Sequence, residues 1–302
     1  MVKNILITGA SGLVGTQLTR HLQTQGFSVS HLGRTKRSGT VPSFVWDIDK
    51  DYADPDAFKN AEVVIHLAGA GVADQRWSEA RKKEILESRT KSSQLLWKTL
   101  HTTPHHVKAV VSASAVGFYG FDTGDVWLTE ESKNGTDFLA DVTRQWEQCV
   151  DQISLLGIRV AKLRIGIVLS NQGGALVEMA KPIKWGVGAP LGTGRQYLSW
   201  IHIDDLCNMF IHAATHESVN GAYNAVGMQP VQNETFTRLL GQVLKKPLWL
   251  PNVPPAVLKV LVGEMANIIL GGNRVSAEKI RNTGFVFQHT DLEPTLKHLY
   301  SA

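Results

Sequence analysis

Two rhythms of apolar and polar residues run along this chain. Short, mostly apolar runs read as buried strands. They fall at residues 5–7, 27–32, 43–47, 61–68, 107–111, 158–169 and 222–226. Between them, apolar residues recur every three or four positions. Leu13, Val14, Leu18 and Leu22 make one such face, ending at Gly26. Leu86, Ser93, Leu96 and Leu100 make another, within a long helix over 77–101 that Ser78 can cap. Further helices are expected over 137–150, up to His216, over 234–244 and up to Leu270. Strands alternating with helices predict an α/β protein with a doubly wound parallel sheet and right-handed crossovers. After Ser170, glycines at 173, 174, 186, 188, 192 and 194 break the rhythm. Residues 1–170, with 196–226 returning to them, are expected to form the sheet domain. Residues 171–195 and 227–302 would then form a smaller C-terminal lobe.

With 302 residues, the chain is near the upper limit for a single core, which agrees with a two-lobed reading. Hydrophobic residues make up 43% and charged residues 19%, a balance that excludes a disordered chain. A net charge of +4 is too weak to argue for nucleic acid. Cys149 and Cys207 have no metal spacing and are too few for a disulfide framework, so a reducing, cytoplasmic setting is expected. A strand is expected from the first residues on, so no secretory leader is expected. The most apolar late stretch, 253–270, is interrupted by Lys259 and Glu264 and is not expected to span a membrane. His105 and His106 have no acidic or cysteine partner at ligand spacing, so no metal is expected there. The expected partner is a small molecule, with neither nucleic acid nor membrane, and the chain is expected to be a monomer or homodimer.

Candidate chemistry begins where the first strand meets the first helix. The run Thr8-Gly9-Ala10-Ser11-Gly12-Leu13-Val14-Gly15 carries three glycines three apart. In a strand–turn–helix setting this spacing is a dinucleotide-binding fingerprint. Gly9 would turn the chain, Gly12 would let backbone approach a pyrophosphate, and Gly15 would let helix and strand pack closely. The helix N-terminus would then aim free amides, those of Ser11, Leu13 and Val14 among them, at the phosphates. Gly33 and Arg34 end the second strand, with Lys36 and Arg37 just beyond and no acidic residue. An acid at this point binds the ribose 2′-hydroxyl of NAD, and an arginine accommodates the 2′-phosphate of NADP. NADP is therefore the expected cofactor, against the plainer reading of a solvated basic loop.

Asp47, at the end of the third strand, could accept from an adenine amino group or simply close a turn. Leu67, Ala68 and Gly69 supply small residues at a strand end, where open α/β sheets bind ligands. On the long helix, Glu84 and Arg89 join the cofactor-binding candidates. Arg89 could reach a phosphate or ribose, or form an exposed salt bridge. Ser114 and Tyr119 follow the fifth predicted strand as candidates for substrate chemistry. Lys181 or Arg195 could hold an anionic substrate.

Together these motifs resemble the extended short-chain dehydrogenase/reductases, the group of nucleotide-sugar epimerases and dehydratases. His66-Leu67-Ala68-Gly69, Ser112-Ala113-Ser114 with Tyr119-Gly120, and Trp200 through Asp205 are similar to its later motifs. The atypical branch called epimerase family proteins is similar also in Ser88-Arg89, Asp137 through Ala140 and Trp146-Glu147. It is similar again in Leu250 through Pro254, Gly263 through Ala266 and Gly284-Phe285-x-Phe287. The resemblance implies a Rossmann-type sheet, a nicotinamide cofactor, a catalytic serine at Ser114 and a C-terminal substrate lobe. It also exposes a departure. The family's Tyr-x-x-x-Lys pair, in which lysine lowers the tyrosine pKa for proton transfer, falls on Phe138 and Val142. Two readings follow. One is an NADP(H)-dependent oxidoreductase or epimerase-like enzyme, with Tyr119 as proton donor and Ser114 orienting substrate. The other is a non-catalytic NADP(H)-binding sensor or scaffold.

Overall fold

The computed structural model describes residues 2–301. Its strands in chain order begin with β1 (Asn4–Thr8), β2 (Ser28–Gly33), β3 (Ser43–Asp47), β4 (Tyr52–Ala53), β5 (Val63–His66) and β6 (Ala109–Ala115). They continue with β7 (Trp127–Leu128), β8 (Arg159–Ile165), β9 (Ile167–Leu169), β10 (Tyr197–Leu198) and β11 (Trp200–His202). The last are β12 (Gly221–Ala225), β13 (Val231–Gln232) and β14 (Arg274–Val275). Eight of them make one sheet in the order β12-β8-β6-β5-β1-β2-β3-β4. Every pairing in it is parallel except that of the edge strand β4 with β3. The order reverses direction between β1 and β5. Both strands there end against an open crevice, the place where doubly wound sheets bind ligands.

Helices α1 (Leu13–Thr24), α2 (Glu79–Thr102), α3 (Phe138–Asp151), α4 (Ala175–Lys184) and α5 (Ile203–Thr215) carry the crossovers and the start of the second lobe. Helix α1 packs beside α5, and α2 beside α3. Ser78 caps α2 by accepting from the Arg81 amide at 3.2 Å. Helices α6 (Asn233–Val243), α7 (Pro255–Val262), α8 (Ala266–Leu270), α9 (Glu278–Arg281) and α10 (Leu292–Tyr300) belong to the C-terminal third.

One large apolar core surrounds the sheet, and a second joins Leu176, Trp200, Phe236, Leu240 and Leu296. The two cores divide the chain differently from the sequence-based boundaries at two points. Leu198 and Trp200 pack in the smaller core. Val275 through Phe285 returns to the larger one, with Ile280 fully buried. The apolar run over 158–169 is also two strands. At Gly166 the backbone leaves the main sheet, its amide donating to Ala225 O at 3.1 Å, and the next amide, Ile167, donates to Ser199 O at 2.8 Å. From there β9 pairs with β11 in a separate ladder.

Buried polar groups inside the sheet are bonded to one another, as burial without partners would be unfavourable. His66, on β5, is enclosed: Nδ1 lies 2.8 Å from Thr8 Oγ1 and Nε2 lies 3.2 Å from Ser93 Oγ. Burial lowers its pKa to about 4, so the ring is neutral. Only the unfolded chain takes up this proton as pH falls from the ordinary value of 6.5 toward 4, so the native state loses stability over that window and is unaffected above it. Urea midpoints are expected to fall between about pH 7 and pH 5, and His66→Asn to make that slope shallower; an unchanged slope would contradict a neutral buried ring.

Candidate functional site

The crevice between β1 and β5 opens into a cleft of about 500 Å³. Its floor is built from glycine. Gly9 leaves β1 with φ +70°, a conformation that favours glycine, and a Cβ there would lie 2.7 Å from the Leu67 carbonyl carbon. Gly15, in the first turn of α1, has the same constraint in another direction, since a Cβ would come 2.6 Å from Gly9 O. Gly12 differs. It is the N-cap of α1, and a Cβ on it would touch only Gly9 O, at 3.5 Å, with open space in front. The first amides of α1 have no acceptor within the helix. Ser11 lines the cleft, whereas the Leu13 and Val14 side chains pack on the core and leave only their backbone for a ligand.

One wall comes from the end of β2. His31, Leu32, Gly33, Arg34, Thr35 and Arg37 line it. The Arg37 guanidinium reaches back to Ala10 O at 3.4 Å, and its amide donates to Ser43 Oγ at 3.1 Å. Among the described residues no carboxylate pairs with Arg34 or Arg37. Two exposed cations therefore face a cleft with their charge uncompensated. His31 Nε2 lies 3.0 Å from Thr19 Oγ1, and burial and Arg37 lower its pKa, so the ring adds no charge to the wall.

The opposite wall is Leu67, Ala68, Gly69, Ala70 and Gly71, with Asp74, Arg81, Glu84 and Ser88 beyond. Glu84 accepts from Arg81 Nη1 at 2.6 Å, and Arg81 Nη2 donates to Gly71 O. Ser88 Oγ accepts from the Ala70 amide at 3.0 Å. Helix α2 thus holds this loop in shape by its side chains.

Four candidate residues stand elsewhere than the sequence suggested. Asp47 closes a turn: its carboxylate accepts from the Asp49 and Lys50 amides at 3.1 Å, and Trp46 and Ile48 line the cleft instead. Arg89 lies behind the wall, not on it. Its guanidinium donates to Ile85 O at 2.8 Å, sits 5.2 Å from the Trp146 ring and backs onto Gly69. It forms neither a surface salt bridge nor a cleft contact, and burial, then Arg81, lowers its pKa only to about 10.

Ser114 and Tyr119 are buried at 3% and 4% exposure and belong to a polar network behind the end of β6. Ser114 Oγ donates to Glu147 Oε1 at 2.6 Å. Arg164 grips the same carboxylate with Nε at 2.8 Å and Nη2 at 3.0 Å, and its Nη1 donates to Tyr119 OH at 3.1 Å. The Tyr119 hydroxyl donates to Asn224 Oδ1 at 2.6 Å. Burial raises the phenol pKa despite Arg164. Tyr119 is therefore a poor proton donor to a cleft it does not face. Burial alone would raise the Glu147 carboxyl, but Arg164, Lys162 and the Ser114 hydroxyl outweigh it and hold it below the usual range. Phe138, where the family tyrosine would stand, packs edge-on to Trp77 at 5.1 Å, and Val142 is buried. Lys181 is exposed on α4 and pairs with Glu178 at 2.6 Å; Arg195 is exposed on a loop.

Fold and cleft together define a Rossmann-type dinucleotide-binding protein with an added C-terminal lobe. Residues 5–226 match the NAD dependent epimerase/dehydratase family, and residues 253–299 match a domain of unknown function, DUF1731. The chain is 34% identical over 302 residues to an epimerase family protein SDR39U1 homolog, chloroplastic, of Arabidopsis thaliana, covering 97% of this chain and 85% of the relative. It is 33% identical over 298 residues to the epimerase family protein YfhF of Bacillus subtilis, covering 98% and 97%. A crystal structure of human epimerase family protein SDR39U1 (isoform 2) with NADPH superposes with a TM-score of 0.88 at 28% identity, covering 99% of both chains. The chain belongs to the NAD dependent epimerase/dehydratase family.

Two outcomes follow from this geometry. Gly12→Val is expected to fold and to lose dinucleotide binding, whereas Gly15→Val, forced against Gly9 O, is expected to lose about 1–3 kcal/mol of stability. Calorimetric titration beside thermal melts separates the two. Glu147→Gln is expected to lower stability by about 3–5 kcal/mol in urea unfolding, because it strips a buried guanidinium of its counter-charge.

Proposed function

We propose that this chain binds NADP(H) in the β1/β5 cleft and uses it to oxidise or reduce a small molecule held against the C-terminal lobe. The observation that carries the cofactor is the union of an open glycine cradle at Gly12 with two arginines that have no carboxylate partner among the described residues. The amides at the start of α1 suit a pyrophosphate, and Arg34 and Arg37 suit a ribose 2′-phosphate. NADPH in the structure of the human relative supports the same cofactor. When bound, the nicotinamide supplies hydride transfer. Leu67 through Gly71 would bound it on one side, and the β6 end with Gly117 on the other.

Phe138 and Val142 cannot move a proton, and the Tyr119 hydroxyl is engaged by Asn224. Any acid/base group of the reaction therefore differs from the family pair. A second reading, an NADP(H)-binding sensor without turnover, is favoured by the same buried Ser114–Glu147–Arg164–Tyr119 network. Deuteride transfer from labelled NADPH to members of a carbonyl panel supports the enzyme. Tight binding with no transfer across the panel favours the sensor.

Arg34→Ala and Arg37→Ala are each expected to weaken NADPH by about 1.5–3 kcal/mol, roughly ten- to more than a hundredfold, and to leave NADH nearly unchanged. Parallel calorimetry with both nucleotides checks this, and equal losses would refute the 2′-phosphate assignment.

A further inference from the structure

Away from the cleft, three histidines from separate segments meet. His202 ends β11 and is the N-cap of α5, His289 lies in the loop before α10, and His298 is on α10. One ring nitrogen of each lies within 4.8 Å of the others. The His202 ring stacks on that of His289 with centroids 3.7 Å apart, and the His289 and His298 centroids are 5.4 Å apart. The His202 side chain is 2% exposed, and its buried Nε2 has no hydrogen-bond partner among the described residues.

That unpartnered nitrogen is the second observation. A buried ring nitrogen without a partner is unfavourable and calls for a ligand. His202 Nδ1 accepts from the Asp204 amide at 3.1 Å, while Asp204 Oδ2 lies 3.7 Å away. With Nδ1 accepting there, the ring proton sits on Nε2; a metal at Nε2 requires that proton to move to Nδ1 and the amide bond to be exchanged for one to Asp204 Oδ2, which gives a carboxylate–histidine–metal triad. Asp204 Oδ1 is already held by Gln17 Nε2 at 2.9 Å and His21 Nε2 at 3.1 Å. Asp205 accepts from the Gln288 and His289 amides at 2.8 and 2.9 Å, fixing the loop that carries the second ligand.

We infer that His202, His289 and His298 form a site for a divalent transition metal such as zinc, with Asp204 orienting His202 from behind. Three imidazoles without thiolate suit zinc, nickel, cobalt or copper and not magnesium or calcium. Zinc–nitrogen bonds of about 2.0–2.1 Å at tetrahedral angles put the nitrogens about 3.4 Å apart, so His289 and the exposed His298 must turn inward from where they stand. The metal would clip α10 and its leading loop to α5, joining the two cores. Nothing in this depends on the dinucleotide cleft.

The test is calorimetric titration of the tag-free full chain with zinc chloride, and visible absorption of its cobalt complex. One metal per chain and cobalt d–d bands are expected, together with a higher melting temperature in zinc. His298→Ala and His289→Ala are expected to weaken zinc by at least about tenfold, no less than the loss of an outer-shell partner. His298 is exposed, so its variant keeps the test valid if His289→Ala fails to fold. His212 and His216 form the competing pair, stacked at 3.9 Å on α5 and just beyond its end, and His216→Ala is expected to bind as the parent does. No binding by the parent chain, full binding by both trio variants, or loss only in His216→Ala would overturn the site.

Discussion

The contact on which the site depends is between two stretches of backbone. Gly9 leaves β1 and passes so close to the Leu67 carbonyl that a Cβ has no room. Parallel strands at a reversal of sheet order carry their helices to opposite sides, so the chain parts there. The close approach of Gly9 to Leu67 keeps the floor of that gap thin, and Gly15 keeps α1 pressed onto it. Everything that lines the cleft, from the β2 arginines to the Leu67–Gly71 wall, is placed by strands that converge on this point. Side chains on α2 then hold the far wall through backbone carbonyls and amides, as Arg81 does at Gly71 and Ser88 at Ala70.

Much of this is legible in the sequence because it rests on local rules. Strand runs, helix faces, Ser78 as a cap and the glycine spacing are set by residues within a turn or two of each other. What is not legible depends on partners far apart in the chain. Arg89 looks like a surface cation beside hydroxyls, yet α3 brings Trp146 against it and removes it from the cleft. Asp47 offers the same pattern for a ligand and for a turn, and only the Asp49 and Lys50 amides decide between them. The split at Gly166 is hidden inside an apolar run, because the bonds that divide it come from Ser199 and Ala225. One overlooked signal was present. Lys162 and Arg164 alternate within a buried strand, and cations so placed require a buried acid, which Glu147 provides.

That buried acid changes how the missing tyrosine and lysine are to be read. A family active site presents a hydroxyl and an ammonium to the substrate. Here the corresponding helix presents Phe138 and Val142, and polar character has moved behind the sheet. Glu147 gathers Ser114 and Arg164, and Arg164 and Asn224 hold Tyr119. The Ser114 and Tyr119 hydroxyls are each turned toward a partner of the protein's own. Ion pairs buried this deeply contribute geometry more than net stability, since removing both charges from water offsets most of their attraction. The network fixes where β6, β8 and β12 end relative to one another.

The C-terminal lobe is joined to that cleft by the same type of contact. Lys82 on α2 pairs with Glu264 at 2.6 Å, and Arg76, from the loop before α2, donates to Val260 O at 2.9 Å at the end of α7. Both cations lie within a few residues of Arg81 and Glu84, which shape the cleft wall. A ligand that moves the Gly71–Trp77 loop must therefore move α7 or break these bonds. Exposed ion pairs of this kind are worth at most about 1 kcal/mol each, small beside the free energy of nucleotide binding.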